Sequence, residues 1–176
     1  MKGTNSEEIA LLRKEEHEKA WNRVKDNISE GKIVAGIVKN IRHFGVFVEI
    51  EGGLVGLLHI EDISVSRMKS PSERFSIGQK INVMIKSIDK EKGRIVLSYK
   101  ELLGNWEENA EGFEEKTVVD GIIKEADKYK NGIFVELKPN LVGMAEYKEG
   151  FEYGQKVKVL IKKIIKSKKK IKVIIV

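Results

Sequence analysis

The chain has 176 residues, with 33 Lys+Arg against 27 Asp+Glu, a net charge of +6 and no cysteine. That length accommodates one domain or two small ones, and 41% hydrophobic residues suffice for a packed core. The missing cysteine excludes disulfide scaffolds, thiolate metal sites and cysteine nucleophiles, and no apolar run reaches the ~18–20 residues that span a bilayer.

In chain order, residues 1–29 read as a helix. Asn5 followed by Glu8 forms a candidate capping box, and Ile9, Leu12, Trp21, Val24 and Ile28 recur at helical spacing. Residues 30–100 alternate as strands: in VFVEI, Val46, Val48 and Ile50 share one face and Phe47 and Glu49 the other. Gly52-Gly53 marks a tight turn, and INVMIKSI and IVLSY are joined by DKEKGR as a hairpin. Five strand-sized segments result, in an up-and-down order, with one long excursion at 61–77 between the third and fourth. Such a set suggests a closed five-stranded OB-fold barrel.

Residues 101–115 carry six acids and no base, and are expected to form a short helical linker. Residues 116–176 then repeat the pattern of 30–100. Trp21 matches Trp106, Gly36 matches Gly121, Gly45 matches Gly132 and IGQKINVMIK matches YGQKVKVLIK, with about eleven residues lost between His59 and Gly78. The expected fold class is therefore all-β: two tandem five-stranded OB-fold barrels (30–100 and 116–176), an N-terminal α-helix (1–29) and a short helical linker (101–115).

Charge is unevenly placed. Residues 30–100 carry a net +4, the linker −6, and residues 155–176 nine lysines and no acid. A polyanionic partner fits this distribution, with the linker keeping the footprint local. An outward Phe47 points the same way, since an exposed aromatic ring is a platform on which bases stack. Arg94 and Lys39 supply charge for phosphates.

The run GKIVAGIVKNIRHFGVFVEIEGGLVGLLHIEDIS, followed by FSIGQKINVMIKSIDKEKGRIVLSYK, closely resembles the S1 domain, the RNA-binding OB-fold named after ribosomal protein S1. The resemblance rests on Gly36, on the run from His43 to Val48, on Gly56-Leu57-Leu58-His59-Ile60, on Gly78-Gln79-Lys80, and on Asp89 followed by Arg94-Ile95. The Trp-Glu-Glu-Asn linker is similar to those of tandem bacterial S1 proteins, especially of Firmicutes. The S1 resemblance implies an RNA face made of Phe44, Phe47, His59, Asp89 and Arg94; Lys39 is a further candidate for phosphate from its charge alone. Gly45 is expected to leave room for a base next to Phe44, and Asp89 to orient Arg94 or cap the hairpin.

The second copy is degenerate. Phe134, Lys124 and Lys170 keep or replace Phe47, Lys39 and Arg94, but Asn131, Glu146 and Ile165 stand at the positions of Phe44, His59 and Asp89. It is expected to bind RNA weakly, with its lysines giving salt-sensitive contacts.

Three well-separated histidines (His17, His43, His59), no HExxH and no Gly-rich phosphate loop give no basis for catalysis, a metal or a cofactor. The implied function is binding of single-stranded RNA in the bacterial cytoplasm, in translation, with mRNA or the ribosome as partner. Two alternatives stay open: a protein-interaction module, or accessory domains of an RNA-processing or transcription complex. The chain stops within its last strand, which suggests a fragment of a longer protein. The sequence does not fix base preference or oligomeric state.

Overall fold

A computed structural model describes residues 6–176. Contacts divide the chain into two compact units, one running to Asp62 and resuming over Ser70–Tyr99, the other made of Ile63–Lys69 and Lys100–Val176.

The first unit opens with helix α1 (Ser6–Val24). The capping box at Asn5 and the side chains of Ile9, Leu12 and Val24 lie outside the described residues. Ala20 and Ile28 are buried and Trp21 is half-buried. Two polar contacts fix the helix: His17 Nε2 lies 2.6 Å from the Gly93 carbonyl, and Arg23 donates to the Gly52 carbonyl at 3.0 Å. Both carbonyls belong to turns between strands, so the helix is tied to two hairpin ends.

Five strands follow: β1 (Ile33–Arg42), β2 (Gly45–Glu49), β3 (Val55–His59), β4 (Lys80–Asp89) and β5 (Arg94–Ser98). They close in the order β1-β2-β3-β5-β4. β3 and β5 run parallel, so the barrel is not the up-and-down arrangement that strand order alone suggests. Period-two alternation places Val38, Val46, Val48, Leu58, Val83, Ile85 and Leu97 inside, all fully buried. Gly36 is required where β1 crosses β2, since a Cβ there would overlap Val48 Cγ1.

In the second unit, helix α2 (Trp106–Ala110) precedes β6 (Val118–Asp127), β7 (Gly132–Lys138), β8 (Leu141–Glu146), β9 (Lys156–Ile165) and β10 (Lys170–Ile175). Asn105 caps α2 by accepting from Glu108 N at 2.8 Å, and Glu107 and Glu108 sit in the first turn, where the helix dipole favours negative charge. Trp106 and Phe113 pack against a core of Ile123, Ile133, Val135, Leu141, Ile161 and Ile171. The barrel closes as β10-β8-β7-β6-β9, the same topology as the first.

The repeat holds at the level of register. Gly45 faces His59 as Gly132 faces Glu146, Phe47 faces Leu57 as Phe134 faces Met144, and Asp89 faces Arg94 as Ile165 faces Lys170. Residues 63–69, part of the long excursion in sequence, cluster with the second unit. There Val65 N donates to Asn140 Oδ1 at 2.8 Å and Lys69 N to the Tyr153 hydroxyl at 3.0 Å.

Candidate nucleic-acid interface

On the first barrel, outward side chains of β2, β3 and β5 form rows set by register. The central row is Phe47, Leu57 and Val96, all half-buried. One side of it lies His59, opposite Gly45; on the other side are Val55, opposite Glu49, and Arg94 at the start of β5. With strands ~4.8 Å apart and ~3.3 Å per residue, the face measures about 10 Å by about 13 Å, room for two or three stacked nucleotides.

Phe44 overhangs this face from the β1–β2 turn. Its ring meets Phe47 edge-on, centroids 6.1 Å apart at 89°, and His43 edge-on at 5.3 Å and 89°. Phe44 is 40% exposed, a large apolar area for a turn to leave in water. Phe44 thus links His43 and Phe47 beside the aliphatic side chains of Leu57 and Val96. Both alternate out of phase with the buried Leu58 and Leu97, the signal in the sequence that marks them as outward residues of this face.

Gly45 does not make room for a base. A Cβ there would come 2.5 Å from the Leu58 carbonyl and 3.2 Å from His59 Cα. The missing side chain admits the backbone of β3, which brings His59 beside the Phe44 turn.

Arg94 and His59 are exposed. Asp89 lies opposite Arg94 in register, and its Oδ1 accepts from Lys92 N at 3.1 Å, so it closes the β4–β5 turn. Lys39 sits at a bulge in β1, between Val38 and Asn40, and its Nζ lies 3.0 Å from Glu49. That pair neutralises the carboxylate nearest the aromatic row.

In the second unit the corresponding bulge falls between Ile123 and Glu125, but there Lys124 is buried where Lys39 is exposed. Lys124 is 5% exposed, 3.6 Å from Glu136, with its ammonium 5.1 Å from the Tyr153 ring centre. Burial takes it off any surface a phosphate could reach, which corrects its expected RNA role. Phe134 stays outward in the row Phe134, Met144, Lys172, with Lys170 in the neighbouring row. Phe134, Met144, Lys170, Lys172 and Trp106 line a cavity of about 670 Å³.

Among the described residues, no group of three or more His, Cys, Asp or Glu side chains is placed to hold a metal ion, and no helix is long and apolar enough to cross a membrane.

The closed five-stranded barrel is of the OB type, and residues 27–100 match the family model for the S1 RNA binding domain. The match spans the first barrel, and the second barrel closes with the same strand order. Over 111 residues, 62% of this chain, it is 37% identical to small ribosomal subunit protein bS1 of Staphylococcus aureus, covering 28% of that protein. The bS1 of Neisseria meningitidis is 44% identical over 77 residues, 44% of this chain and 14% of that one. A 4-hydroxy-3-methylbut-2-enyl diphosphate reductase of Clostridium acetobutylicum is 43% identical over 113 residues, 64% of this chain but 17% of the reductase. The chain thus spans less than a third of these curated relatives. Among solved structures, GSP13 from Bacillus subtilis is 28% identical over 44% of this chain and 60% of that chain, with a TM-score of 0.42.

Proposed function

We propose that the first barrel holds single-stranded RNA by stacking bases on Phe47 and Phe44, with Arg94 neutralising phosphate and His59 contacting a base edge or the backbone. The observation that carries this is the outward Phe47, flanked in register by Leu57 and Val96 and met edge-on by Phe44. Base–aromatic stacking tolerates any base, because each offers a π-face. Asp89 acts through the hairpin that presents Arg94, and Lys39 holds the β1 bulge through Glu49.

RNA is favoured over a protein partner by the rim of the aromatic patch, where Arg42, His43, His59 and Arg94 are all exposed. The similarity to bS1 proteins supports a role in translation in a bacterial cytoplasm, on mRNA or at the ribosome. In the second barrel, Phe134 and Lys170 are assigned weaker contacts. The role is binding rather than catalysis; the reductase relative is matched over too little of its length to lend its chemistry.

Ultraviolet cross-linking of a 4-thiouridine oligonucleotide to the full chain, with peptide mapping, tests the placement. Cross-links are expected on the segment from His43 to His59. Cross-links confined to other segments would refute it.

A further inference from the structure

The ring of Tyr129 is 98% exposed, more than any other large hydrophobic side chain of the described residues. It stands in the turn between β6 and β7, which is two residues longer than the matching β1–β2 turn that carries Phe44. The turn has a fixed shape. Asp127 Oδ1 accepts from Tyr129 N at 2.9 Å and from Lys130 N at 3.2 Å, and Asn131 N donates to the Lys128 carbonyl at 3.2 Å. Asn131 adopts the left-handed conformation, φ 48°, which asparagine tolerates better than a bulky residue. The second barrel therefore lacks an aromatic at the Phe44 position but displays one two residues earlier, between Lys128 and Lys130.

A cavity of about 520 Å³ begins at the end of this turn, with Lys130 and Asn131 in its wall. Met144 on β8 and Ile174 and Ile175 on β10 give it an apolar lining, and Lys148, Lys162 and Lys172 also line it. Met144 and Lys172 are shared with the larger cavity that holds Phe134, so the two adjoin along β8 and β10. Lys130 is engaged by Glu125 at 3.7 Å and Asp127 at 3.9 Å, and serves the turn. Glu146, in the same wall, is the acidic exception.

We infer that Tyr129 and this lysine-lined cleft form a second single-strand RNA site, in which Tyr129 stacks on a base and Lys148, Lys162 and Lys172 take the phosphates. An exposed ring beside a cleft with an apolar lining and three lysines matches the chemistry of stacking platforms set along an electrostatic groove. This rests on the reading that the chain binds RNA, but it uses different residues from those of the first barrel. It replaces diffuse lysine attraction in the second unit with a placed aromatic contact.

The test is a titration of a fluorescent oligouridine against the full chain in four forms: parent, Phe47→Ala, Tyr129→Ala and the double variant. Tyr129 is in an exposed turn, so its variants are expected to fold. The Phe47→Ala chain should retain measurable binding, and adding Tyr129→Ala should weaken it by about 5-fold or more. Tyr129→Phe should keep the parent affinity, because the ring and not the hydroxyl does the stacking. If Phe47→Ala costs nothing while Tyr129→Ala weakens binding, the first-barrel reading fails and the second site stands. If Tyr129→Ala matches its parent in both backgrounds, or Phe47→Ala alone abolishes binding, the second site is refuted.

Discussion

The rings of Phe44 and Phe47 meet edge to face, with centroids 6.1 Å apart and planes at 89°. The arrangement leaves the two π-faces pointing in perpendicular directions, so one base cannot cover both. A strand crossing this site must turn between two stacks. Phe44→Ala is therefore expected to weaken RNA binding by about 5-fold or more, within the range of roughly 1–3 kcal/mol per stack. At 40% exposure the ring adds little to the core, and thermal unfolding should barely change. Fluorescence anisotropy beside a melting curve checks both statements.

Arg94 lies at the margin of the aromatic row and is exposed. The role proposed for it is electrostatic, so Arg94→Gln should weaken binding to all sequences alike. The slope of log affinity against log salt should become shallower by about 0.7, the value for one phosphate contact on a single strand. Titrations at several salt concentrations measure that slope. An unchanged slope would remove Arg94 from the phosphate path.

Gly45 brings β3 close to the Phe44 turn. Because an added Cβ would press on the Leu58 carbonyl and His59 Cα, Gly45→Ala is expected to cost about 1–3 kcal/mol of stability, as overpacking does elsewhere. Denaturant unfolding of parent and variant gives the difference. The RNA affinity of the folded variant should also fall, since His59 would move relative to Phe44.

Lys124 and Glu136 form a buried pair at the β6 bulge, with side chains 6% and 9% exposed. Lys124→Met leaves the carboxylate buried without its cation and should cost roughly 3–5 kcal/mol. The double change Lys124→Met with Glu136→Leu should recover much of that loss. Two units need not unfold in one step, so each transition must be followed separately, for instance by amide exchange. RNA binding at Phe47 should be unaffected.

Much of this was legible because strands write a period of two into the sequence. The outward phase of Phe47, the duplication and its register, and the turn at Gly52-Gly53 follow from local alternation and turn chemistry. Barrel closure through the parallel pairing of β3 and β5 does not, because it joins segments nearly forty residues apart with no local signal. The burial of Lys124 is not legible in the same way: Lys39 at the equivalent bulge stays exposed, and what encloses Lys124 includes Glu136 and Tyr153, the latter far from it in sequence. Tyr129 is hidden from an alignment of the two copies, because the second displays its aromatic within a longer turn and not at the Phe44 position. Gly45 looks in sequence like an opening for a ligand, but the next strand fills its space, a contact no local pattern encodes.

The central claim is that the first barrel holds RNA by stacking on Phe47. The most direct measurement is the affinity of the full chain for a single-stranded oligonucleotide, parent against Phe47→Ala, at fixed salt and with folding verified by circular dichroism. The expected result is a loss of about 5- to 100-fold with the fold intact. Equal affinity in a correctly folded Phe47→Ala chain would contradict it.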